Sequence, residues 1–381
     1  MEALGTLFFK DEGPGLTGMA KKTHISFQWL CGGKGAFLLF CAVLLVLPLV
    51  LSDFRLNLLG KFLTFAIVAI GIDLIWGYTG ILSLGHGVFF SLGAYAMAMY
   101  LKLQSESLPD FMMWSGLTEL PWFWKPFSHA WFAIPMAVLV PVAVAVIIGV
   151  PTFRARIKGP YFAILTQALA LVCSILFIGQ QPYTGGTNGV TNLQDVFGYS
   201  LSEPATMRGL YLVTAAVLVV VFLGARWLVS TKMGRILVAI RDGENRFRFL
   251  GYNSTLFKVA VFALSAGLAG LAGALYVPQV GIISPSMMGI LPSVEMAIWV
   301  AVGGRGNLVG AVLGALVVNF AKTYLSETFP DSWLYFQGAL FVGVVLLFPQ
   351  GIIGLLSRLK GKGRKVAHTA GEKAPVPVAR G

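Results

Sequence analysis

Charge is scarce in this chain: Asp, Glu, Lys and Arg make up 12% of its 381 residues, about half the share of a soluble domain. That excludes an ordinary water-soluble fold. Long polar stretches are also few, namely the first 35 residues, 102–129, 179–208 and the tail after Ser357. None is long enough for an independent soluble core, so an ATPase or a large receptor domain would have to be a separate chain. Cysteine is limited to Cys31, Cys41 and Cys173, an odd number without metal-ligand spacing, which reads as small buried hydrophobes. No G-x-x-x-x-G-K-[ST] run occurs and no nucleophile sits beside a base, which argues against enzymatic chemistry in this chain.

Apolar length is abundant. The chain is 57% hydrophobic with a mean hydropathy of +0.79. A hydrocarbon slab about 30 Å thick needs roughly 20 apolar residues per helix. Spans are expected near 36–52, 58–76, 81–101, 130–150, 159–178, 209–229, 257–277, 288–302, 308–325 and 334–356. The fold class that follows is an all-α polytopic membrane protein of about ten transmembrane helices. Residues 36–52 read as a retained first span, because a long tail precedes them and no A-x-A cleavage site follows. The expected layout is an N-terminal tail over 1–35, a transmembrane domain over 36–356 and a basic tail over 357–381.

The net charge of +12 suits the cytoplasmic loops of a membrane protein, which retain Lys and Arg, better than nucleic acid. With the N-terminus inside, only Arg55, Lys61, Lys102, Lys125, Arg208 and Lys322 of the 28 Lys and Arg fall on the outer side. That bias places both termini in the cytoplasm. The outer loops are instead acidic or aromatic, with Asp110, Glu119, Trp122 and Trp124.

Two joins are too tight for ordinary loops: Gly77-Tyr-Thr-Gly80 and Gly303-Gly-Arg-Gly306. Each continues into a glycine-spaced helix, with Gly85 and Gly93 in one case and Gly310 and Gly314 in the other. This suggests a 5 + 5 internal repeat with broken helices, an arrangement from which transporters build a central pathway. Gly267, Gly270 and Gly273 read instead as a close-packing face. Two carboxyl groups, Asp73 and Glu295, fall inside spans and beside these joins, where a charged group is costly and needs a partner or water. Either they border a pathway together with Gly77, Gly80, Gly303 and Gly306, or they cap a helix break or pair with a neighbour such as Arg305. His86 either hydrogen-bonds near the pathway or packs as a satisfied histidine. No second ligand lies at metal spacing, so no metal site is expected.

The segment 232–251 is too polar to span. Ile236, Leu237 and Ile240 form one apolar helical face, Asp242 and Glu244 precede a stretch with Phe247 and Leu250, and Gly251 can close it with a left-handed cap. Its carboxylates and Gly243 suit docking into a groove on a partner better than lying on anionic lipid.

Gly77-Tyr-Thr-Gly-Ile-Leu-Ser-Leu-Gly-His-Gly87, Gly185-Gly-Thr-Asn-Gly189, Gly234-Arg-x5-Arg-Asp-x-Glu244 and Glu295…Gly303-Gly-x-Gly306 resemble permeases of branched-chain amino acid ABC importers. The likeness covers roughly 36–356. Within that family, Trp76, His86-Gly-Val-Phe-Phe90, Gln180-Gln-Pro-Tyr-Thr-Gly-Gly-Thr-Asn-Gly189 and Asp242-Gly-Glu-Asn-Arg-Phe-Arg-Phe249 resemble the urea-type branch. The resemblance implies a bacterial inner-membrane permease that moves urea or short amides inward by alternating access. It implies as partners a second homologous permease, two ATPase subunits that use ATP and Mg, and a periplasmic binding protein, with no cofactor in this chain. It makes Gly234, Arg235, Ile236, Ile240, Arg241, Asp242, Glu244 and Gly251 parts of the ATPase coupling segment. Asp73 departs from the general family pattern, where an uncharged polar residue is expected. The other readings are a branched-chain amino acid permease and, from another class, a passive channel for a neutral solute. Few charged groups are counted within the spans, which favours a neutral solute.

Overall fold

The computed structural model describes residues 33–104, 108–157, 159–193, 195–201 and 203–330, with 332, 335–339, 342–343 and 351–352 beyond them. The expectations for most of the N-terminal tail with Cys31, for the last span at 334–356 and for the basic tail fall mainly or wholly outside these residues.

Ten long helices are described: α1 (Gly33–Val50), α2 (Asp53–Trp76), α3 (His86–Lys102), α4 (Ala130–Arg154), α5 (Pro160–Gly179), α6 (Pro204–Ser230), α7 (Lys232–Phe249), α8 (Ser254–Val280), α9 (Ile290–Gly303) and α10 (Leu308–Thr328). Six of them, α2, α4, α5, α6, α8 and α10, are long and apolar enough to cross a membrane. The apolar helices Phe40–Val50 and Ile290–Gly303 are shorter. They coincide with the expected first and eighth spans.

Local chemistry sets the boundaries. Asn253 and Asn307 cap α8 and α10 by accepting from backbone N–H groups two or three residues on, at 3.0–3.2 Å. Pro135, Pro141 and Pro151 lie within α4 without ending it, as membrane helices tolerate. The third span starts later than expected, at His86 rather than 81. The backbone N–H of Leu84 donates to Thr166 Oγ1 of α5 at 3.0 Å, which ties the non-helical stretch before His86 to a neighbouring helix.

The helix α2 is the centre of the bundle, buried from Phe62 to Ile75 and packed against α8, α6, α10 and α9. The outer helices α4, α5 and α6 bury only 22–28% of their apolar windows and present Ile147, Val172 and Val220 outward, as lipid-facing surfaces do. Two long loops cap the end opposite α7. There Trp124 Nε1 donates to the Tyr183 carbonyl at 3.0 Å, a two-strand hairpin pairs Asp195–Val196 with Tyr199–Ser200, and Val190 bridges to Ile283.

The seam between α3 and α8 is built on absent side chains. A Cβ on Gly93 would strike the Gly270 backbone, and one on Gly273 would strike the Phe90 carbonyl oxygen. This bears out the packing reading of the α8 glycines. Gly273→Val is expected to destabilise the subunit by ~2 kcal/mol or more, because the obstructing atom is backbone and cannot rotate away. Gly209→Val on α6, where nothing lies within 4 Å of the added carbon, is the matched control. Thermal unfolding in detergent should show a lowered midpoint for the first variant alone.

Candidate functional site

The two tight joins, far apart in sequence, meet at one end of the bundle. Asp73, at the last turn of α2, is fully buried, and its Oδ1 accepts from the Gly306 backbone N–H at 2.7 Å. Gly77 must be glycine for this contact, since a Cβ there would strike Asp73 Oδ1 and the Gly306 nitrogen. Gly80 and Gly306 hold φ values of 76° and 75°, where side chains are disfavoured. Gly303 packs against the Gly310 carbonyl, which lets α9 and α10 fold back on each other. Arg305 lies 5.1 Å from the Trp76 ring centroid, a cation–π contact between the joins.

The helix α7 reaches the same point. Arg241 Nη1 donates to the Gly77 carbonyl at 2.8 Å, and its Nε pairs with Asp242 at 2.8 Å. One guanidinium therefore connects α7 to the α2–α3 join, which itself holds the α9–α10 join. Gly243 has φ −170° and ψ 64° and splits α7 into two rods. The second rod is pinned to α8: Glu244 Oε1 accepts from Lys258 Nζ at 2.6 Å, Arg248 Nη2 at 2.7 Å and Ser254 Oγ at 3.0 Å. Gly251 takes φ 85° just past the helix, the left-handed cap expected there. A cavity of about 480 Å³ lies between α7, the α2–α3 join and the α4–α5 turn, bordered by Thr79, Gly80, Phe162, Arg241, Glu244 and Lys258.

The apolar face of α7 points inward. Gly234, Leu237, Ile240 and Phe247 are buried against the chain's own helices and Ile236 is half-buried, so Ile240 is not available to a partner. The exposed face instead carries Arg235 and Asp242, and it ends in an apolar patch of Phe249, Leu250, Tyr252 and Leu256. Periodicity finds the apolar face of a helix but does not say which body covers it.

His86 lies in the α3–α8 seam, with Nε2 2.7 Å from Ser265 Oγ and the rings of Phe89 and Phe262 beside it. Glu295 does not join Asp73. Its two oxygens lie 2.7 and 2.9 Å from Lys322 Nζ, so its partner is Lys322 and not Arg305. Lys61 and Lys322, assigned to the outer side by position, are within α2 and α10. The two lie close enough to Glu295 to interact with it electrostatically. The sparse-charge reading missed this group, although both lysines fall inside the expected spans 58–76 and 308–325.

Residues 54–345 match the protein family described as "Branched-chain amino acid transport system / permease component". The high-affinity branched-chain amino acid transport system permease protein LivM of Escherichia coli (strain K12) is 26% identical over 341 residues, 83% of this chain and 74% of LivM. The corresponding protein BraD of Pseudomonas aeruginosa is 25% identical over 307 residues, 76% of this chain and 92% of BraD. The ribose import permease protein RbsC of Escherichia coli (strain K12) is 23% identical over 337 residues, 86% of this chain and 95% of RbsC. No solved structure matches the chain. These names meet the family expectation. They do not show urea specificity.

Proposed function

The chain belongs to the family of branched-chain amino acid transport permease components, and from that premise we propose that it is the membrane-embedded permease subunit of an ATP-driven importer. The observation that carries the reading is the Arg241–Gly77 hydrogen bond. It ties a polar helix on the basic end of the bundle to the point where two helix breaks touch. Force applied to α7 from the cytoplasm reaches the breaks through one charge-assisted contact. A passive channel has no need of such a device. The partners in this reading are a second homologous permease, two ATPase subunits that bind ATP and Mg, and a periplasmic binding protein, all at a bacterial inner membrane. The exposed patch of Phe249, Leu250, Tyr252 and Leu256 is the surface offered to an ATPase.

The solute in this reading is a branched-chain amino acid, the class named in the LivM and BraD relatives. Urea is the second reading, favoured by the Trp76, His86–Phe90 and Gln180–Gly189 motifs. Cells expressing the complete system are expected to take up labelled leucine in an energy-dependent way, with excess valine competing. Energy-dependent urea uptake that leucine does not reduce would establish the second reading instead. Flux of either solute that survives ATP depletion would mean a channel and overturn both.

A further inference from the structure

Three ionisable side chains from three helices share one neighbourhood away from the joins: Lys61 of α2, Glu295 of α9 and Lys322 of α10. Both oxygens of Glu295 are taken up by Lys322. The Lys61 ammonium makes no hydrogen bond or ion pair among the described residues. Its Nζ lies instead 5.9 and 6.0 Å from the ring centroids of Phe65 and Tyr276. Lys61 thus stands near a carboxylate already paired to another ammonium, on a helix long and apolar enough to cross a membrane, where an unneutralised charge is costly and marks a pathway more often than a structural element. The cluster is open on one side, the Lys322 side chain being 34% exposed and Lys61 half-buried. Its other side is aromatic: Phe65 lies 4.7 Å from Trp299 and 5.7 Å from Tyr276, and Phe62 meets Phe320 edge-on at 4.9 Å.

We propose that Lys61 and Glu295 form a solute subsite on the translocation route, Lys61 taking an acceptor oxygen of the solute and Glu295 an adjacent N–H. An amino acid offers this pattern as carboxylate and ammonium, and urea offers it as carbonyl and amide. The rings beside the cluster suit an aliphatic side chain. The subsite rests on the importer reading above.

The test uses the whole importer reconstituted in liposomes with its binding protein, and it measures solute moved per ATP hydrolysed, with labelled leucine and labelled urea in separate arms. Lys61→Met is expected to lower that ratio at least fivefold for whichever solute the wild type carries, while complex assembly and ATP hydrolysis stay unchanged. Lys61→Arg should restore most of it. An unchanged ratio in Lys61→Met overturns the subsite. Loss of the second permease from the purified complex also overturns it, since Lys61 would then be a subunit contact, and so does a collapse of ATP hydrolysis. A wild-type complex that moves neither solute defeats the importer reading itself, a result distinguishable from all of these. The arm that responds identifies the solute class.

Discussion

Asp73→Leu is expected to reduce import to below a tenth of the wild-type rate, with the subunit still present in the membrane. Asp73 Oδ1 holds the Gly306 N–H at 2.7 Å, and leucine leaves that half-buried donor unsatisfied. The cost of such a group is ~1–3 kcal/mol when it is fully buried. At about 1.4 kcal/mol per tenfold, that shifts the balance against the joined form by up to about a hundredfold. Asp73→Asn keeps a carbonyl oxygen in place for the Gly306 N–H and should retain most of the rate. Initial uptake rates normalised to the amount of subunit in the membrane distinguish the two. Equal loss in both variants would mean that the charge of Asp73 matters, not only its hydrogen bond.

The second large effect is expected at the exposed end of α7. Phe249 is 91% and Leu250 74% exposed, two large apolar side chains at the end of α7. The double change Phe249→Asp, Leu250→Asp should abolish import and remove the ATPase subunits from the purified complex, while the unfolding midpoint of the subunit stays unchanged. Fully burying a Phe or Leu side chain against a partner is worth ~1.5–3 kcal/mol each. Ile240→Asp makes the contrast: with Ile240 only 3% exposed, its variant should fail to accumulate. Retained ATPase subunits in the Phe249, Leu250 variant would place the dock elsewhere on α7.

Much of the architecture was legible because crossing a membrane imposes long apolar runs with few alternatives. The six longest apolar helices fall on the spans read from composition, and the Gly77–Gly80 and Gly303–Gly306 joins are both real turns. Asp73 was legible as a costly intramembrane charge. Its partner was not, because Gly306 lies 233 residues away and donates a backbone N–H that every sequence position except proline also possesses. The late start of α3 depends on Thr166, a residue of another helix. The inward direction of the α7 apolar face, and the meeting of Lys61 with Glu295 and Lys322, depend on helix rotation and neighbour choice, which apolar periodicity leaves open. The 5 + 5 repeat was read from the joins, yet these differ in form: residues 77–85 separate α2 from α3, whereas only 304–307 separate α9 from α10.

The bare-backbone seam between α3 and α8 also governs how this molecule can open. Gates commonly work by swinging a side chain from one rotamer to another, but at Gly93, Gly270 and Gly273 there is nothing to swing. To admit a solute there, two whole helices would have to part along their length and give up their closest approach at once. At these three positions the seam is closed by backbone against backbone, with no side chain whose rotation could open it. The space between helices lies elsewhere, in the cavity bordered by Gly80, Arg241 and Glu244.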